Sequence, residues 1–152
     1  MNKEVLKEQI KRHEGEVLKV YEDSLGYLTL GVGHLIKDGD AEHGQDAGTP
    51  VSQEVCDAYY EDDFDKHVDE TIHVFESKGG KDFYSLPEDI QHVLVNMTFN
   101  LGGSRFGKFN NMWKAVVSED WKTVAVEMED SKWFGQVGRR SKELQDMVLA
   151  CG

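Results

Sequence analysis

Only two of the 152 residues are cysteine and two are proline. Cys56 and Cys151 match no zinc or redox spacing and two cysteines build no disulfide framework, so both are expected to be free thiols. No apolar run approaches the roughly 20 residues that a membrane helix needs, which excludes stable membrane insertion. The opening segment, MNKEVLKEQIKRHEGEVL, is charged and lacks the apolar core of a cleavable signal peptide. Positive charge is scarce too: 17 Lys and Arg face 29 Asp and Glu, a net charge of −12. Nucleic acid, bound chiefly by neutralising phosphates, is therefore not an expected partner. Several catalytic motifs are missing: there is no G-x-S-x-G and no G-x-x-x-x-G-K-[ST]. His13-Glu14 begins an H-E-x-x-H, but Val17 stands where the second histidine belongs, and no two of the six histidines lie four apart. No catalytic metal and no cofactor is expected. Cys56 falls on an acidic helix, where a thiolate nucleophile is disfavoured.

What remains is a chain with 39% hydrophobic and 10% aromatic residues, enough for one ordinary globular core. Its acids are not spread evenly. Residues 38 to 88 carry 15 Asp and Glu against 3 Lys, so this segment alone accounts for the imbalance. A calcium loop is the sharper reading of KDGDAEHGQDAG at 37 to 48, but the twelfth-position Glu and the regular ligand spacing are absent. A solvated acidic face is the reading adopted.

Periodicity divides the chain. Val5, Leu6 and Ile10 sit at helical spacing over 3–13, and Gly15 stands where that helix would stop. From Val17 the period drops to two. EVLKVYED and GYLTLGVGHLI read as a hairpin turning at Ser24-Leu25-Gly26, with a third strand after Gly33 and a bulge or close approach at Gly31-Val32-Gly33. A polar connection spans 38–50. Ser52 then caps a helix over about 53–77 whose apolar stripe is Val55, Tyr59, Phe64, Val68, Ile72 and Phe75. So long and polar a helix is expected to connect two lobes. After Gly79-Gly80, Ser85-Leu86-Pro87-Glu88 reads as a capping box opening a helix that Gly102-Gly103 closes. Shorter helices follow at about 110–117, 120–130 and 138–150, each holding or flanking one of Trp113, Trp121 and Trp133. The fold class is α+β. The expected layout is one domain over 1–152, with a sheet lobe at about 14–51, a connector at about 53–77, and a helical lobe at about 80–152 joined by helix 3–13.

The carboxylates are the remaining candidates for chemistry. Cleaving a glycosidic bond takes one protonated carboxyl, to donate to the leaving oxygen, and one ionised carboxylate, to act on water or on developing positive charge. Glu14 lies at a helix C-terminus, where the negative end of the dipole disfavours an ionised acid. Asp23 precedes a turn in polar company and suits the ionised role, although Asp before a turn is also common for structural reasons. Thr29, on the returning strand, offers a hydroxyl able to hold a water between them.

These residues carry a resemblance. Glu14-Gly15, Tyr21, Asp23, Gly26-Tyr27, Thr29 and Gly31-Val32-Gly33-His34 resemble the active-site signature of the phage-type lysozymes, in the T-even form. Asn96-Met97-Thr98-Phe99-Asn100-Leu101-Gly102 resembles that family's helix at the cleft floor. Ser131-Lys132-Trp133-Phe134 and Arg139-Arg140 resemble its C-terminal segment. The likeness spans nearly the whole chain, and the one clear shortening is at 38–50, where the T-even form has a further helix.

The resemblance implies a lysozyme-like α+β fold, and a monomeric muramidase that hydrolyses the β-1,4 bond between N-acetylmuramic acid and N-acetylglucosamine in bacterial peptidoglycan. On that reading Glu14 is the general acid, while Asp23 and Thr29 place the attacking water on the opposite face of the sugar. Leu35, Phe99 and Asn100 would line the substrate cleft. Met112 and Glu127 align with two further contact positions, where the T-even form has small polar residues. His34 is read as structural, paired with Asp62 or Asp63. Peptidoglycan is often anionic, so attraction for this acidic chain is expected from a local rim at Arg139, Arg140 and Lys142. Without a signal peptide, the family expectation is synthesis in the host cytoplasm and holin-dependent release to the wall. Two other readings stay open: a lytic transglycosylase, which needs no water-activating pair and leaves an anhydro-sugar, and a non-catalytic wall-binding module or phage tail component.

Overall fold

The computed structural model describes residues 1–152. Helix α1 runs Lys3–Glu14, followed by strands β1 (Val17–Glu22), β2 (Leu28–Gly31) and β3 (His34–Leu35). Helix α2 spans Gln53–Ser77, then come a single 3₁₀ turn at Phe83–Ser85 and α3 at Glu88–Leu101. The chain ends in α4 (Gly103–Phe106), α5 (Asn110–Val117), α6 (Trp121–Glu129), α7 (Lys132–Val137) and α8 (Arg139–Ala150). Together with the small sheet this is the α+β, lysozyme-like arrangement. Two compact units are distinguished: Lys7–Lys66, and Met1–Leu6 together with His67–Gly152. The division falls inside α1 and again inside α2.

In the first unit the strands form one antiparallel sheet in the order β1-β2-β3. Val20, Leu30, Val51 and Cys56 are its buried core, with Leu28, Ile36, Val55 and Tyr59 packed around them. The expected bulge is displaced. The register slips in β1 between Val17 and Tyr21, whereas Gly31 and Gly33 make the left-handed turn into β3 with φ of +59° and +63°. Close approach does occur at Gly31, where an added Cβ would lie 3.2 Å from Cys56 Cβ. Gly31→Ala therefore meets both an unfavourable backbone region and a neighbour. It is expected to lower unfolding stability by about 1–2 kcal/mol, measured by denaturant titration, and Cys56→Ala should restore only the smaller part due to Sγ, because the Cβ at 3.2 Å remains.

His34 is almost fully buried and bridges two carboxylates, Nδ1 to Asp63 at 2.7 Å and Nε2 to Asp40 at 2.8 Å. Its ring stacks on Tyr59 at 4.0 Å. The helix partner is thus Asp63, while Asp62 pairs with Lys66 at 2.8 Å. Asp40 also accepts the Lys37 N–H at 2.9 Å, so this acid of the 38–50 segment serves as a strut. The Tyr59 phenol, pushed up to about 12 by burial and its bond to Glu42, holds the same segment.

Ser52 caps α2 as expected, its Oγ accepting the Val55 N–H at 3.2 Å. The capping box at Ser85 is not made. Ser85 Oγ turns back to the Asp82 carbonyl at 2.7 Å inside the 3₁₀ turn, and Pro87 stands at the N-cap of α3 without a side-chain cap. Helix α3 is buried on every side from Ile90 to Phe99, so its apolar stripe understates its burial. Around it Trp113, Trp133, Phe106, Met128, Leu144 and Val148 complete the second unit's core. Helices α4 and α7 are too short for periodicity to reveal. Both cysteines are free thiols, Cys56 buried and Cys151 half-buried.

Candidate active site

Glu14 is the last residue of α1 and is half-buried. Gly15 follows at φ +77° and donates its N–H to the Lys11 carbonyl at 2.8 Å. This left-handed step ends the helix and sends the chain into β1. Glu14 is thereby held at the negative end of the helix dipole. The neighbouring acid, Glu16, is occupied by Lys11 at 3.5 Å and by Gln53 at 3.1 Å.

Asp23 leads the turn between β1 and β2. Its Oδ1 accepts the N–H groups of Leu25 and Tyr27, both at 2.9 Å, and its own N–H donates to the Tyr27 carbonyl at 2.8 Å. Both side-chain bonds fall on Oδ1, which leaves Oδ2 for a ligand. Thr29 is 4% exposed, and its hydroxyl donates to the same Tyr27 carbonyl at 3.0 Å. With that proton committed, Thr29 Oγ1 can only accept from a water. One residue, Tyr27, thus orients both groups through its backbone.

The register completes the arrangement. Thr29 pairs with Tyr21 on one side and Leu35 on the other, so a single row of side chains crosses the three strands on one face. Asp23 lies two residues beyond Tyr21, on that same face. The Tyr21 phenol is pushed up by burial and then by the charges of Glu14 and Asp23, which means that it feels both carboxylates at once. Tyr21 belongs to the quoted signature without an expected role; its two-residue strand spacing to Asp23 places it in this row. Leu35 stands half exposed at the end of the row.

The other candidates lie in the second unit. Phe99 is buried against the ring of His67, with centroids 4.9 Å apart. Asn100 Oδ1 accepts the Trp133 Nε1–H at 2.7 Å. Met112 and Glu127 line a cavity of about 330 Å³ together with Arg105, Lys108, Phe109 and Trp133. The expected positive rim at 139–142 stands only in part, with Arg139 and Lys142 exposed. Arg140 is buried and gives Nε to Asn96 Oδ1 at 2.9 Å and Nη2 to the Asn96 carbonyl at 3.2 Å, while Lys142 pairs with Asp146 at 2.9 Å. Arg105 and Lys108 belong to a stretch from 90 to 118 that holds no acid, and their cavity also carries Lys132, Glu127 and Asp130. The structure brings Glu14, Tyr21, Asp23, Thr29 and Leu35 together within one unit, and Phe99, Asn100, Met112 and Glu127 belong to the other.

The chain is similar to known proteins along most of its length. A sequence model of the family described as "Phage lysozyme" matches residues 11–147. The chain is 28% identical to "Probable T4-type lysozyme 2" of Dictyostelium discoideum, covering 91% of this chain and 90% of that protein. It is 30% identical to the "Pre-baseplate central spike protein Gp5" of Enterobacteria phage T4, over 93% of this chain but 27% of that protein. It is 26% identical to "Peptidoglycan hydrolase gp36" of Pseudomonas phage phiKMV, over 88% of this chain and 14% of that protein.

Proposed function

Because the chain belongs to the phage lysozyme family, we propose that it is a peptidoglycan hydrolase of the muramidase type, cleaving the β-1,4 bond between N-acetylmuramic acid and N-acetylglucosamine. The observation that carries this reading is the grouping of two carboxylates in unlike settings beside one buried hydroxyl. Glu14, at the negative end of a helix, donates its proton to the glycosidic oxygen as the bond to the anomeric carbon breaks. A water gives its two hydrogen bonds to Asp23 Oδ2 and Thr29 Oγ1, which turns a lone pair toward the anomeric carbon. As the new carbon–oxygen bond forms, Asp23 takes the water's proton. Attack from the face opposite the leaving group makes this an inverting hydrolysis.

Leu35, Phe99 and Asn100 are assigned to the glycan. Met112 and Glu127, on a cavity that also carries Arg105 and Lys108, are assigned to the wall's attached groups. The spike-protein relative supports a second reading of delivery only: the same hydrolase acting within a phage tail device, in place of holin-dependent release from the cytoplasm.

Product analysis separates hydrolysis from transglycosylation. Purified sacculi digested by the protein should release muropeptides with a reducing muramic acid end, convertible by borohydride. Anhydro-muramoyl products would overturn the water-activating roles of Asp23 and Thr29, and binding without release would overturn catalysis.

A further inference from the structure

The row across the sheet holds one polar group that the reaction above does not use. Tyr21 is half-buried in β1, directly paired with Thr29 and two residues before Asp23. Its hydroxyl makes no hydrogen bond to the protein, although its neighbours are densely bonded. Asp23 Oδ1 is taken by two backbone N–H groups, and the Thr29 proton is taken by the Tyr27 carbonyl. A phenol placed among such partners without joining them is set up for a group that arrives with the substrate.

We propose that Tyr21 is a further substrate-contacting residue, whose hydroxyl donates to the carbonyl oxygen of the 2-acetamido group on the sugar being cleaved. The inference rests on the glycosidase reading given above and extends it to the substrate's substituent. The chemistry selects this acceptor. Glu14 and Asp23 act on the two sides of the anomeric carbon, and Tyr21, paired with Thr29 and two residues before Asp23, faces that carbon's neighbourhood. The substituent on the adjacent carbon is the acetamido group, and an amide carbonyl is the strongest neutral acceptor that such a sugar offers.

Protonation is compatible with the role. Burial, with the charges of Glu14 and Asp23, holds the phenol above its ordinary value of 10.0, so it stays a donor at neutral and acid pH. The bond would do two things. It would favour N-acetylated over de-N-acetylated sugar, because a site built to donate to a carbonyl leaves its donor unpaired when the carbonyl is missing. It would also hold the acetamido oxygen away from the anomeric carbon, which leaves that position to the water rather than to the substrate's own amide.

The test compares wild type with Tyr21→Phe on peptidoglycan carrying free 2-amino groups and on the same material after chemical N-acetylation. Wild type is expected to prefer the acetylated wall, and Tyr21→Phe to lose about tenfold in kcat/KM on it while the two proteins converge on the deacetylated wall. The thermal midpoint should not move, since the hydroxyl has no protein partner to lose. Equal preference for the acetylated wall in both proteins would overturn the proposal, as would a loss of equal size on both walls. Wild type cleaving neither wall would remove the glycosidase reading itself and this contact with it.

Discussion

Glu14→Gln is expected to slow wall clearing by about a thousandfold while leaving the fold intact. General-acid catalysis supplies roughly 10²–10⁴-fold, and a carboxamide of the same shape has no acidic proton to give to the leaving oxygen. The position makes the result discriminating. Glu16, two residues further on, pairs with Lys11 and Gln53, and Glu16→Gln is expected to clear at nearly the wild-type rate. Asp23→Asn provides a second comparison. Its Oδ1 can still accept from Leu25 and Tyr27, so the turn survives and any loss belongs to the missing proton acceptor. A turbidity assay on purified walls measures all three, with circular dichroism to check folding. Equal clearing by wild type and Glu14→Gln would remove Glu14 from the mechanism.

The second large effect is on stability. His34→Gln is expected to destabilise the protein by about 3 kcal/mol near pH 5.5, because it removes the shared cation between two largely buried carboxylates. Side-chain exposures are 5% for His34, 15% for Asp40 and 12% for Asp63. Burial lowers the His34 value, but the hydrogen bonds and charges of Asp63 and Asp40 outweigh it and hold the imidazole above its ordinary 6.5. A raised value in the folded state means that the contribution is complete below the unfolded value of about 6.5 and is lost as pH rises through the folded one. Asp40 has the opposite sign. Burial raises it, yet the Lys37 N–H and His34 hold it below the usual carboxylate range, so its contribution is complete above about pH 3.9 and fades as pH falls. Together they place the full effect between about pH 4 and 6.5. Denaturant titrations of wild type and His34→Gln should show their largest gap there and a smaller one at pH 9. A gap that does not change with pH would refute the charged bridge.

The difference between the two proteins is the quantity to follow, because a second histidine acts the other way. His92 is buried in α3, its Nε2 makes no hydrogen bond, and burial pushes it down. A lowered value means that its contribution to folding is complete above about pH 6.5 and is lost on acidification. Subtracting the variant from wild type leaves His92 common to both.

Much of the candidate site was readable because its residues are close in sequence and held by local geometry. Gly15 ends α1 through a single left-handed residue. The Asp23 turn is closed by bonds to residues two and four positions on, and strand alternation puts Tyr21 and Asp23 on one face. Where the reading failed, distant contacts had overruled local preference. Ser85 had every mark of an N-cap, but the 3₁₀ turn claimed its hydroxyl. Arg140 looked like a surface cation until Asn96, 44 positions away, drew it into the core.

From the sequence by itself came the α+β class, the main helices, the hairpin, and the set Glu14, Asp23 and Thr29 within one span of 16 residues. Hydrophobic period, glycine positions and turn chemistry act over a few residues and survive without the rest of the chain. Only the tertiary structure decided that Asp40 and Asp63 share one buried histidine and that Arg140 is buried against Asn96. It also showed Tyr21 standing among the catalytic candidates with its hydroxyl unused. Each of these depends on which side chains are desolvated together, and burial is a property of the packed whole that no local pattern carries.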